Sequence, residues 1–256
     1  MNKTKHPALF RHIEGLQGDR PWGTMLDAGT GVKSIRWLAS LPTEKWTAVA
    51  GSIGEADRAR DSVKETLRPQ DQVVSGNWAD PQLLSGDVFD TVLADYLLGA
   101  VEGFSPYFQS YLFMRLRPMT RSVLYVKGLE PYVPGARPET KAECLVWEIG
   151  RFRDACILLS GGRPYREYPA PWVVDHLQRA KFKVRNIEHF SIRYKEKFVN
   201  AQIDLCAPGL EKLADRPLAT SLAARGEALR AEALEMIEGE GGLTAGRNYV
   251  VAAEPI

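Results

Sequence analysis

The chain has 256 residues, a mass of 28.5 kDa, 33 basic against 32 acidic residues and a formal net charge of +1. That length sustains one large core without disulfide staples, and the charge balance provides no overall field to draw in nucleic acid or anionic lipid. With 45% hydrophobic and 25% charged residues, the composition is that of a globular protein, neither disordered nor fibrous.

The start, MNKTKHPALFRHIEG, lacks an apolar core of signal-peptide length, and no stretch reaches the roughly 20 apolar residues of a membrane span. A soluble, cytoplasmic protein without a membrane partner is expected. Cys144, Cys156 and Cys206 are odd in number, widely spaced and away from clustered histidines, so reduced thiols and no metal site are expected. His6, His12, His176 and His189 read as solvated or satisfied side chains.

In chain order, Leu9, Phe10, Ile13 and Leu16 predict a short N-terminal helix within a helical segment 1–20. Met25-Leu26 form a strand entering Asp27-Ala28-Gly29-Thr30-Gly31, and Ile35, Trp37 and Leu38 continue as a helix up to Pro42. The cycle repeats with a strand over Trp46–Gly51, a helix over Ala56–Leu67, and a short strand over Gln72–Ser75. Phe89–Ala94 is the next buried strand, Phe104–Leu116 a helix, and Ser122–Val126 a fifth strand. A long helix from about Glu139 to Leu159 follows, with Pro138 suited to its first turn. Repeated strand–helix alternation means parallel strands with crossover helices, hence an α/β layered sheet.

The last third breaks the alternation. Pro171–Ala180 is predicted as a helix, Phe182–Ile192 as a long strand and Tyr249–Ala253 as a terminal strand. Between these two strands, which are expected to pair antiparallel, residues 195–240 have helical periodicity and form an inserted lid or dimer surface. No linker or repeat interrupts the chain, so residues 1–256 read as a single domain.

The stretch Met25-Leu26-Asp27-Ala28-Gly29-Thr30-Gly31-Val32-Lys33-Ser34 carries the chemistry. Glycines after a strand let backbone approach a ligand, and the following helix start offers unpaired N–H groups and a positive dipole end. A dinucleotide fingerprint would place a third glycine where Ser34 stands. An acid two residues ahead of the first glycine repels a pyrophosphate but suits an ammonium group.

Asp27-x-Gly29-x-Gly31 resembles the first motif of the class I S-adenosylmethionine-dependent methyltransferases. The resemblance covers roughly Met25 to Val126 by motif and the remainder by strand order. It implies a Rossmann-like three-layer sandwich with a seven-stranded, mostly parallel sheet whose last strand is antiparallel. It also implies S-adenosylmethionine as cofactor, S-adenosylhomocysteine as product, and Asp27, Gly29, Thr30 and Gly31 around the methionine part. The family's ribose-binding acid at the end of the second strand is absent: Gly51-Ser52 stands there, with Ser52 able to make one hydrogen bond and Glu55 nearby. After the third strand the family meets the adenine, which here implies Asn77 against its edge and Trp78 stacked on its ring. The end of the fourth strand, with Asp95 and Tyr96, corresponds to the place where cofactor and substrate meet.

Methyl transfer from a sulfonium is an in-line displacement, so alignment and desolvation dominate and a base is secondary. The candidate catalytic groups are Asp95, Tyr96 and Glu130. Acceptor contacts are expected from Tyr96, from Tyr132 after the fifth strand, and from Tyr165 and Arg166 in the turn-rich segment Arg163–Pro169. The reading is methyl transfer to an N, O or S nucleophile of a small molecule, with nucleic acid disfavoured as partner and a homodimer as an alternative use of the 195–240 helices. Two alternatives stay open: an RNA or protein methyltransferase, and a cofactor-binding protein without turnover. A nicotinamide enzyme is disfavoured by Ser34 and by the reversed final strand.

Overall fold

In the computed structural model, which describes residues 6–133 and 137–256, seven strands form one sheet. They are β1 (Thr24–Asp27), β2 (Lys45–Ala50), β3 (Gln72–Ser75), β4 (Phe89–Asp95), β5 (Thr120–Leu129), β6 (Phe182–Tyr194) and β7 (Leu243–Pro255), in the order β3-β2-β1-β4-β5-β7-β6. The sheet is mostly parallel with the antiparallel pairing at its last strand, as expected. The helices are α1 (Ala8–Gln17), α2 (Val32–Leu38), α3 (Ile53–Ser62), α4 (Leu97–Phe104), α5 (Gln109–Leu116), α6 (Lys141–Leu159), α7 (Ala170–Arg179), α8 (Glu196–Asp204), α9 (Ala207–Lys212) and α10 (Arg216–Glu240). Among the described residues no helix is long and apolar enough to cross a membrane.

The chain divides into two compact units. The first runs up to Gly128 and resumes over Arg166–His189 and Tyr249–Ile256; the second comprises Leu129–Tyr165 and Phe190–Asn248. In the first unit the central strands are buried on both faces and are accordingly mostly apolar rather than alternating: Met25, Leu26, Val92, Leu93 and Leu124 have no exposure. Parallel pairing sets Asp27 beside Ala48 and Leu93, Ala50 beside Ser75, and Asp95 beside Lys127. Loops that follow the carboxyl ends of β1, β2, β3 and β4 therefore open at one edge of the sheet, where ligands of open α/β sheets bind. In the second unit, Leu145, Val146, Ile149, Phe152 and Cys156 of α6 pack with Val199 and Ile203 of α8 and with Leu229, Ala233 and Ile237 of α10.

Several boundaries differ from the expectation for local reasons. The helix expected over 56–67 runs from Ile53 to Ser62, because Ser52 caps it by accepting the Glu55 N–H at 3.3 Å. The helix expected over 104–116 starts only at Gln109 as α5, and α4, over Leu97–Phe104, was not expected. Ser105 precedes Pro106 and is pushed out of the helical region to φ −149°, ψ 79°, and Tyr107 turns through a left-handed φ of 72°. Thr140 caps α6 by accepting the Glu143 N–H at 3.2 Å while its hydroxyl donates to the Glu143 carboxylate at 2.8 Å. Asp215 caps α10 through the Leu218 N–H at 2.9 Å, and Gly241 ends it at φ 71°. The terminal strands are longer than the expected 182–192 and 249–253. Of the N-terminal segment, residues 1–5 lie outside the described residues.

Gly128, at the end of β5, is a glycine because of its neighbour: a Cβ there would fall 2.1 Å from the Cζ and hydroxyl of Tyr249. Tyr249 is 1% exposed and its hydroxyl donates to Tyr168 O at 2.8 Å, so it has little freedom to move. Gly128→Ala is expected to cost about 1–3 kcal/mol and to lower the melting temperature by several degrees, measured by thermal unfolding. An unchanged melting temperature would show that Tyr249 yields at no cost.

Candidate functional site

The turn after β1 is held from every side. The Ala28 N–H donates to Leu93 O and the Thr30 N–H to Val49 O, both at 2.8 Å, tying the turn to the strands that flank β1. The Trp78 indole Nε1–H donates to Ala28 O at 2.6 Å. At the start of α2 the Ser34 hydroxyl accepts the Gly31 N–H at 3.0 Å and donates to Gly31 O at 3.1 Å. Ser34 thus closes the turn with its side chain at the position where a dinucleotide loop has its third glycine. A Cβ on Gly29 would lie 3.0 Å from the Leu97 side chain, whereas one on Gly31 would meet nothing within 4 Å. Gly29 is closely packed, and the face of the turn at Gly31 is open.

Asp27 ends β1 with no exposure. Its Oδ1 accepts a long 3.4 Å bond from the Gly29 N–H, and its Oδ2 has no hydrogen-bond partner among the described residues. Burial, and then the charge of Asp95, push its pKa up to about 6, while the nearby Ser34 and Thr30 hydroxyls and the Gly29 N–H pull it down. A buried, under-satisfied carboxyl is costly and marks a functional position.

Asp95 ends β4 opposite Lys127 of β5. Lys127 Nζ lies 2.6 Å from Asp95 Oδ1, with the two side chains 6% and 11% exposed. The same ammonium sits 3.7 Å from the ring centroid of Phe10 and 5.0 Å from that of Tyr96, within cation–π range of both. Burial raises the Asp95 carboxyl above its ordinary range, and Lys127 and then Lys33 act against that. Tyr96 adopts φ 51°, a left-handed conformation uncommon for a non-glycine residue, and its N–H donates to Lys127 O at 3.0 Å.

The residues expected around the nucleoside are otherwise engaged. Ser52 is exposed and serves as the cap of α3. A Cβ on Gly51 would lie 2.4 Å from Phe104 Cζ, so the phenyl ring lies against the end of β2. The Asn77 amide donates to Phe104 O at 3.1 Å and accepts from the Ser105 hydroxyl at 2.6 Å and from the Ala79 N–H at 3.0 Å. It latches the corner between α4 and α5 rather than presenting itself to a base edge. Trp78 is 4% exposed and packed in the core, so its ring supports the glycine turn instead of offering a stacking face.

Of the acceptor-side candidates, Glu130, Tyr132 and Tyr165 belong to the second unit, and Arg166 is an exposed residue of the first. The Glu130 N–H donates to Arg247 O at 2.9 Å. The Tyr132 hydroxyl accepts from Arg153, whose guanidinium also reaches Gln202 Oε1 at 2.8 Å. Tyr165 is 52% exposed. The structure therefore brings together Asp27, Gly29, Thr30, Gly31, Asp95 and Tyr96 at the edge of the first unit. Sequence reasoning missed Lys127, Phe10 and Phe104. Lys127 had a signal: it directly follows the apolar run Val123–Val126, where a charge needs a buried partner.

No protein-family model and no curated protein matches the sequence. Solved structures do match in fold. A cyclopropane-fatty-acyl-phospholipid synthase-like protein from Lactobacillus casei is 12% identical at TM-score 0.61, covering 96% of this chain and 88% of that one. The magnesium protoporphyrin IX methyltransferase of Synechocystis PCC 6803, solved with bound SAH, is 14% identical at TM-score 0.54, covering 97% and 82%. The cyclase SpnF is 16% identical at TM-score 0.54, covering 97% and 81%. The shared property is the Rossmann-like fold of these enzymes.

Burial holds the Asp27 pKa in the folded state above its ordinary value, at about 6, so the folded state binds the proton more tightly. The penalty is absent below about pH 4, grows between pH 4 and 6, and is constant above; at full size it is roughly 3 kcal/mol. Asp27→Asn is therefore expected to raise stability by up to about 3 kcal/mol above pH 6 and little below pH 4. Denaturant unfolding at pH 4 and pH 8 checks this; equal effects at both would exclude a titrating Asp27.

Proposed function

We propose that the chain is an S-adenosylmethionine-dependent methyltransferase acting on an N, O or S nucleophile of a small molecule. The observation that carries this is the buried Asp27 carboxyl with its unpartnered Oδ2, at the root of a glycine turn that is open at Gly31. An ammonium-bearing ligand supplies the hydrogen bond that oxygen lacks, which is the chemistry of the cofactor's methionine part. When bound, the cofactor supplies an electrophilic methyl group on a sulfonium.

The protein's share is to hold and align. Asp27 binds the ammonium, the backbone from Gly29 to Gly31 admits the chain of the ligand closely, and Asp95 with Tyr96 borders the adjoining edge at the end of β4. Well-aligned reactants recover on the order of 7–11 kcal/mol of barrier, which makes a strong base unnecessary. No acid stands at Ala50-Gly51-Ser52, and Asn77 is engaged in its latch, so binding is weighted toward the methionine end.

A second reading, cofactor binding without methyl turnover, is favoured by the same missing acid and by Phe104 lying against Gly51. That the fold is shared with a cyclase shows that it does not dictate one reaction.

Calorimetric titration separates the outcomes. S-adenosylmethionine and S-adenosylhomocysteine are expected to bind at micromolar affinity, and Asp27→Ala to weaken both at least 100-fold. 5′-Methylthioadenosine, which lacks the amino-acid part, is expected to bind weakly and equally to both proteins. Affinity unchanged by Asp27→Ala would overturn the placement. Binding without product from amines, phenols, carboxylates or thiols would favour the second reading.

A further inference from the structure

Lys127 is a buried charge to which the proposed reaction assigns no role. At 6% exposure it is among the least expected residues to find inside a protein without a partner, and its surroundings are specific. Asp95 Oδ1 lies 2.6 Å away, and the rings of Phe10 and Tyr96 face the ammonium at 3.7 and 5.0 Å. The box draws on α1 for Phe10, β4 for Asp95, β5 for Lys127 itself and the start of α4 for Tyr96.

The charged neighbourhood is small. The charge of Asp95 on β4 acts on Asp27 of β1, and Lys33 of α2 also acts on Asp95. Glu14 of α1 is committed elsewhere: its Oε1 accepts from Trp37 Nε1 at 2.7 Å and contacts His6 Nδ1 at 2.6 Å. The group that decides how many protons the Asp27–Asp95 pair carries is therefore the ammonium in contact with it.

Two carboxyls in one buried place do not both ionise near neutral pH unless something compensates; they share a proton and titrate as a pair. We infer that Lys127 is a positioning residue that sets the charge of this end of the site. Its ammonium, boxed by Asp95, Phe10 and Tyr96, keeps Asp95 ionised and leaves Asp27 as the carboxyl that must lose its proton before a cationic group binds. Asp95 accordingly acts as the counter-ion of Lys127 rather than as a general base. The inference rests on the proposed cofactor only for the identity of the cationic group; the proton inventory of the ligand-free protein is independent of it.

The test combines NMR titration of the aspartate carboxyl carbons in the ligand-free protein with S-adenosylhomocysteine calorimetry from pH 5 to 9. In the unmodified protein the Asp27 step, at about 6, is the last carboxyl step of the pair. Affinity falls about tenfold per pH unit below pH 6 and is flat above, as expected for one linked proton. In Lys127→Gln the pair holds a proton past pH 7. Its upper step and the affinity limb both move up by at least one pH unit, and binding at pH 7 weakens at least tenfold, whereas Lys127→Arg keeps the original profile. Titration curves and affinity profile unchanged in Lys127→Gln would overturn the inference. Should that variant not fold, Phe10→Ala, which opens the box, is expected to shift the same step upward, and an unmoved step overturns the inference equally. If the unmodified protein binds no S-adenosylhomocysteine while the carboxyl titrations behave as stated, the cofactor reading fails and the role of Lys127 stands.

Discussion

A carboxyl group without access to solvent, and with one oxygen lacking a hydrogen bond, resists ionisation, and the architecture around the first strand is what keeps Asp27 in that state. The residue cannot relax outward, because Asp27 is in register between Ala48 and Leu93 and the turn beyond it is tied to Val49, Leu93 and Trp78. It cannot find a donor inward, because its neighbour at the end of β4 is another acid. The tension is stored in a rigid frame of parallel strands, and the proposed cationic ligand would relieve it. Stability and binding therefore draw on the same oxygen in opposite directions, a common pattern at functional sites.

Much of the frame was legible in the sequence because it rests on short-range rules. The short, mostly apolar stretch Phe89–Ala94 reads as a buried strand, the glycines after Asp27 read as a close turn, and the alternation of strands with amphipathic stretches points to a parallel layered sheet. What was not legible rests on contacts between distant positions. The late start of α5 was available locally, in Ser105-Pro106, but the helical periodicity of Phe104–Leu116 masked it, and α4 before it was missed. The engagement of Asn77 with Phe104 and Ser105 was not, since it depends on where the chain returns after β4.

The side-chain roles follow the same division. Asp27, Gly29 and Gly31 carry a pattern whose meaning is local, and the structure places them as a turn open to a ligand. Trp78 and Asn77 sit in the expected loop, but an aromatic ring and an amide have no fixed use there: the indole went to the core and the amide to a latch. Ser34, which breaks the dinucleotide pattern, does by hydroxyl what a glycine would allow by backbone. Lys127 shows the reverse case, a residue anomalous in its strand whose partner becomes visible only when β4 and β5 lie in register.

The order of strands has a bearing on how such a chain is made. β7, contributed by Leu243–Pro255, lies between β5 and β6, so the sheet cannot close until that stretch has left the ribosome. Until then β5 and β6 wait with unpaired edges, β6 ending nearly fifty residues before its missing neighbour begins, the condition in which nascent chains recruit wrong partners. The exposed charges along β6, among them Lys183, Arg185, Glu188 and Arg193, are suited to keeping that waiting edge soluble, a task that precedes the ion pair of Arg185 with Glu254 and the bond of Arg193 to Gly241 O in the finished molecule.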